Sequence, residues 1–134
     1  MKIEKSAVDE QELKVAEEAA KEDSIAYGNK YTHTFSKPFS FDGNTFEELE
    51  FDWDKLTASD SLAIEHEVES MGKAVIVPEF SGDYLIRMAA RACTTTIEVA
   101  GKKTKLGTDV FLHLPLRDYN KIRSKARSFL LQSD

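Results

Sequence analysis

The chain has a single cysteine, few prolines and no long apolar run, and each shortage removes a class of protein. With Cys93 alone, no disulfide can close within the chain, which sets it apart from the cysteine-stapled scaffolds of small extracellular proteins. Met1-Lys2-Ile3-Glu4 leads into charged residues, and no apolar stretch reaches signal or membrane-spanning length, so a cytoplasmic setting without membrane contact is expected. Basic residues are scarce in the front half, and the formal charge is −6. Binding to phosphate backbones draws on basic surface to release counterions, so nucleic acid is not expected as a partner.

What is present is material for one modest domain: 134 residues, 41% of them apolar. The charge is unevenly spread. Residues 1–30 carry 5 Lys against 8 Asp/Glu, residues 31–79 carry 3 Lys against 11 Asp/Glu, and residues 80–134 carry 10 Lys/Arg against 5 Asp/Glu. Packing the acidic front half on the basic back half neutralises both, which is the reading preferred over a field directed at a ligand.

Residues 1–29 are rich in Glu, Lys and Ala and have no aromatic before Tyr27. Leu13, Ala16, Ala20 and Ile25 give only a thin helical stripe, so a mobile, transiently helical acidic tail is expected, with a docked first helix as the other reading. From Tyr31 the pattern alternates. Tyr31, His33, Phe35, Phe39 and Phe41 stand at odd positions, as do Leu49, Phe51 and Trp53 after Asp42-Gly43-Asn44. This predicts a β-hairpin with one aromatic and one polar face. A loop over 42–44 pairs Phe35 with Phe51 and His33 with Trp53; a two- or four-residue loop sets odd against even positions unless a bulge intervenes. Pro38 cannot donate to the ladder and marks an edge or such a bulge.

Helix signals follow. Thr57 suits an N-cap with Asp60 in the first turn, Ala63, Ile64, Val68 and Met71 form a stripe, Glu65, Glu67 and Glu69 face solvent, and Gly72 ends the helix. After an extended link containing Pro78, Ser81 caps a second helix with Tyr84, Leu85, Met88, Ala89 and Ala92 on one face and Arg87 and Arg91 on the other. Thr94–Leu106 reads either as a loop or as a short hairpin turning at Ala100-Gly101, and Thr108–Leu112 as one helical turn. Pro115 opens a last helix in which Leu116, Tyr119, Ile122, Ala126, Phe129 and Leu130 recur at helical spacing, while Lys121, Arg123, Lys125 and Arg127 suit its negative end.

The chemical inventory is thin. His33, His66 and His113 never stand at metal-ligand spacing, and Glu65-His66-Glu67 lacks a second histidine. Asp42-Gly43-Asn44 starts like a calcium loop but continues with Phe46 and Glu47 where a further oxygen ligand and the turn glycine belong. Gly101-Lys102-Lys103-Thr104 has Thr96 in place of the first glycine of a phosphate loop. Cys93 ends an apolar helix face and reads as a small buried hydrophobe. No catalytic residue, cofactor or metal is therefore assigned, and the chain is not read as an enzyme.

From Phe35 to Leu131 the chain resembles the phage tail assembly chaperones of the tail protein E and protein 41 type. The resemblance lies in Phe35-Ser36-Lys37-Pro38-Phe39-Ser40-Phe41-Asp42-Gly43-Asn44-Thr45-Phe46-Glu47-Glu48-Leu49, in Leu56-Thr57-Ala58-Ser59-Asp60, and in the Pro78 link with Tyr84-Leu85. It ends at Leu114-Pro115-Leu116-Arg117-Asp118-Tyr119 and Phe129-Leu130-Leu131. The acidic stretch before residue 30 and the basic segment 94–106 depart from the family pattern. The resemblance implies a factor of the bacterial host cytoplasm that binds the tape measure protein, keeps it soluble, and is absent from the mature virion. It also implies a longer frameshifted form, with Phe129-Leu130 open to slippery codons, through which the tail tube protein becomes a second partner. A virion tail component and a small intracellular binding or regulatory adaptor are the alternatives.

The expected architecture is an α+β fold with an N-terminal aromatic β-hairpin packed on about three α-helices, one domain over 30–134 behind the tail 1–29. Oligomeric state is left open. Aromatics of the hairpin that stay exposed, from the set Phe39, Phe41 and Phe46, are the candidate partner-binding residues; the other reading is that every aromatic is core.

Overall fold

The computed structural model describes residues 29–132, so the expected tail lies outside the described residues except for Asn29. Asn29 belongs to the folded part: its carbonyl accepts the Trp53 N–H at 2.9 Å, and its side-chain amide donates to Asp54 at 2.7 Å. The fold is α+β. An antiparallel hairpin, β1 (Lys30–Phe41) and β2 (Asn44–Asp52), leads through a short 3₁₀ turn at Trp53–Lys55 into α1 (Ala58–Ser70). A second 3₁₀ turn at Pro78–Phe80 precedes α2 (Gly82–Ala92), and a small hairpin of β3 (Thr96–Val99) and β4 (Lys102–Lys105) follows it. The short α3 (Thr108–Leu112) and the long α4 (Leu116–Leu131) complete the described chain.

The hairpin register differs from the three-residue loop expected at 42–44. Phe41 pairs with Asn44, leaving the two-residue turn Asp42-Gly43 with φ of 50° and 82°, a left-handed pair that matches strand twist and that glycine adopts without steric cost. Phe39 pairs with Phe46, then the register jumps: Thr34 faces Glu48, His33 faces Leu49 and Tyr31 faces Phe51. Residues 35–38, Pro38 among them, stand opposite Glu47 alone. This bulge resolves the parity conflict of the short turn and keeps Phe35, Phe39, Phe46, Leu49 and Phe51 all buried.

Helix α2 is the centre of the molecule. Tyr84, Leu85, Met88, Ala89 and Ala92 are buried as their spacing predicts, and so are Ile86, Arg87 and Ala90, because α1, α3 and α4 all pack around it. Its start is capped by Ser81, whose Oγ accepts the Tyr84 N–H at 3.1 Å. At the start of α1, the Asp60 carboxylate accepts the Thr57 N–H at 2.8 Å, and Gly72 at φ 79° terminates the helix. The stripe of α1 is narrower than expected: Ile64 and Val68 are buried but Met71 is exposed.

Residues 94–106 form the short hairpin, turning at Ala100 (φ 53°) and Gly101 (φ 81°). Just before it, Thr94 N–H donates to the Glu50 carbonyl at 2.8 Å and Cys93 bridges to Phe51, so this stretch covers part of the β2 edge.

Opposite charges meet where α1 packs on α2. Arg91 donates to Asp60 at 2.8 Å, Arg87 lies 3.5 Å from Glu67 and 3.3 Å from Asp83, and Lys73 reaches Asp83 at 3.1 Å. Glu67 faces solvent as expected and also forms ion pairs with both arginines, at 3.5 Å to Arg87 and 3.8 Å to Arg91; Arg87 is buried with its charge compensated.

Candidate functional site

The three aromatics singled out in the hairpin occupy unequal environments. Phe39 and Phe46 are buried and stack on each other at 6.1 Å, part of a ring series that runs Phe35, Phe39, Phe46. Phe41 is half-buried, with its ring 4.8 Å from that of His113. In this conformation a partner reaches Phe41 but not the other two. The rest of the aromatic face is core: Phe51 stacks on Trp53 at 5.3 Å, and Trp53 on Phe129 at 6.3 Å.

At the other end of β1 is a buried polar chain that spacing does not reveal. His33 Nε2 lies 2.7 Å from Asp118 Oδ1, and its Nδ1 lies 2.8 Å from the Tyr31 hydroxyl. A carboxylate only accepts, so Nε2 carries the hydrogen; in the neutral ring Nδ1 then accepts the phenol O–H. Burial, and behind it the Asp118 carboxylate, push the Tyr31 phenol above its ordinary range. The Lys125 ammonium sits over the Tyr31 ring at 5.4 Å from its centroid. This chain pins β1 to the first turn of α4, where Asp118 is also favoured by the helix dipole. The residues are 85 positions apart, which is why periodicity gives no hint of the pair.

The pinning fixes the wall of an open groove of about 440 Å³ between α2, α3 and α4. Ile86, Phe111, Leu112, Leu114, Leu116 and Tyr119 line it, together with Gly82 and Asp83. Leu112 and Leu116 are exposed at 52% and 72%, large values for leucines. Leu116 was expected in the core stripe of the last helix, but Pro115 stands at the N-cap, so position 116 projects beyond the packed part of α4. Tyr119 stands close to Gly82, where a β-carbon would come within 2.7 Å of its hydroxyl. Further along α4, the Arg123 guanidinium lies 5.3 Å from the Tyr119 ring centroid, and Arg127 lies 5.9 Å from that of Phe80, itself 54% exposed.

Among the described residues no group of three His, Cys, Asp or Glu side chains converges in a way that could hold a metal, and no helix is long and apolar enough to cross a membrane. Cys93 is 1% exposed, and burial pushes its thiol up. The groove offers exposed leucines together with the polar groups of Asp83 and Tyr119, and Arg123 lies over the Tyr119 ring beside it. No protein-family model matches the chain, and neither a curated protein nor a solved structure matches it.

Proposed function

We propose that this protein is a bacteriophage tail assembly chaperone that binds the tape measure protein and keeps it soluble in the host cytoplasm until the tail tube polymerises. One observation carries the reading: Leu114-Pro115-Leu116-Arg117-Asp118-Tyr119, a segment of the family resemblance, supplies much of the groove. Leu114, Leu116 and Tyr119 line it, and Asp118 anchors the segment to β1. A long helical client exposes apolar stripes during assembly, and an open groove edged by the exposed Leu112 and Leu116 on a net-acidic carrier is suited to cover one.

Co-expression with the tape measure protein encoded by the same phage tests the reading. The soluble fraction of that protein should rise, and the two should co-purify in moderate salt. Burial at roughly 25 cal/mol per Å² of apolar area should dominate over screened surface charge, so high salt should weaken the complex only in part. A tape measure protein that is equally soluble alone, or that never co-purifies while both are folded, would make the adaptor reading the better one.

A further inference from the structure

The two halves of the basic cluster have different fates. Arg87 and Arg91 are paired with acids of α1 and α2, whereas Arg117, Lys121, Arg123 and Arg127 of α4 have no ion pair among the described residues. Arg117 adjoins the exposed Leu116, Arg123 lies over Tyr119 in the groove wall, and Arg127 covers the exposed Phe80. Across the groove, the one acid in its lining, Asp83, is already engaged by Lys73 and Arg87. The site therefore sets the exposed leucines Leu112 and Leu116 beside a stripe of positive charge that no acid of the described residues compensates.

We infer that the occupant of this groove is an amphipathic helix of a partner protein whose apolar stripe is flanked on one side by Asp and Glu. A small molecule fits the groove poorly, since a ligand pocket encloses most of its guest and this groove is open along its length. A strand needs a free sheet edge, and the groove lies between helices. An apolar helix face seated on Leu112, Leu116 and Ile86, with carboxylates directed at Arg123 and Arg127, satisfies both the leucines and the charge. The inference deepens the chaperone reading and takes from it only the partner, a segment of the tape measure protein.

The test uses the full chain and two synthetic helical peptides with leucines at i, i+4 and i+7, one flanked by glutamates and one by lysines. Binding is followed by fluorescence anisotropy. The glutamate peptide should bind at least about tenfold more tightly, and Arg123→Glu/Arg127→Glu should reverse that preference. Leu112→Glu/Leu116→Glu should abolish binding while leaving the melting temperature unchanged, since both leucines are exposed. Equal binding of the two peptides, or binding unaffected by the leucine changes, overturns the inference. So does displacement of the glutamate peptide by a peptide of residues 1–28, by added unlabelled chain or by short duplex DNA, each of which assigns the groove to another occupant. Co-purification of the tape measure protein with the leucine variant as with the unmodified chain would sink the inference and leave the chaperone reading standing. Peptide discrimination without any tape measure binding would do the reverse.

Discussion

At the scale of single residues, the molecule depends on a few buried polar pairs that hold elements distant in sequence. His33 is 1% exposed and Asp118 7% exposed, so removing His33 leaves the Asp118 carboxylate desolvated without its partner, and removing Asp118 leaves His33 with the Tyr31 hydroxyl alone. His33→Leu is expected to cost about 3 kcal/mol in urea unfolding. The double change His33→Leu/Asp118→Leu should cost less than the sum of the two single changes, because no orphaned charge is left. A second residue sets a pH dependence. The Thr57 N–H, and after it the Arg91 guanidinium, hold the Asp60 carboxyl below the usual carboxylate range. A depressed folded-state value means that this stabilisation is complete above the unfolded value of about 4 and disappears as pH falls through the folded one. Stability measured from neutral to acid pH should therefore fall more for the natural chain than for Asp60→Asn, with the two curves converging at the acid end.

At the scale of elements, strain and geometry are concentrated in the turns. Ala100 stands at φ 53° in the β3–β4 hairpin, a left-handed conformation that costs an alanine about 1–2 kcal/mol and an asparagine less. Ala100→Asn is expected to stabilise that hairpin, read as slower amide exchange across the Val99–Lys102 pair and a small rise in melting temperature. The first hairpin avoids most of this strain by placing Gly43 at φ 82°, and it accommodates the short turn through the bulge at residues 35–38. That bulge is where the alternation of the sequence and the geometry of the turn are reconciled. Without it, the turn register would set Leu49 opposite Ser36 and Phe51 opposite Thr34, in place of His33 and Tyr31.

At the scale of the whole molecule, the acidic front half and the basic back half meet across α1 and α2, whereas Arg117, Lys121, Arg123 and Arg127 of α4 make no ion pair among the described residues. Deleting residues 1–28 while keeping Asn29 is expected to leave the melting temperature essentially unchanged, because the deleted segment carries no aromatic before Tyr27 and the described residues already form a continuous core. Extending the deletion through Asn29 should lower it, since the Trp53 N–H loses its acceptor and Asp54 its amide donor. Calorimetry of the two truncations checks both expectations. A large loss in the shorter deletion would show that the front segment contributes to the folded core.

The sequence by itself determined the α+β class, the aromatic hairpin, the starts of α1 and α2 at Thr57 and Ser81, and the burial of Cys93. These follow from short-range rules: side-chain period, capping chemistry and turn residues act within a few positions. Tertiary structure decided the rest. The register of the hairpin depended on how aromatics from two strands share one core, which a turn rule alone cannot weigh against a bulge. His33 and Asp118 were brought together across 85 positions by the packing of β1 on α4. Leu116 looked like core by its spacing, yet it is 72% exposed because helix periodicity states which face a residue occupies and not where the neighbouring element ends. Whether a charge is compensated is likewise a property of neighbours in space, which is why Arg87 and Arg127, similar in the sequence, became a buried strut and an open rim.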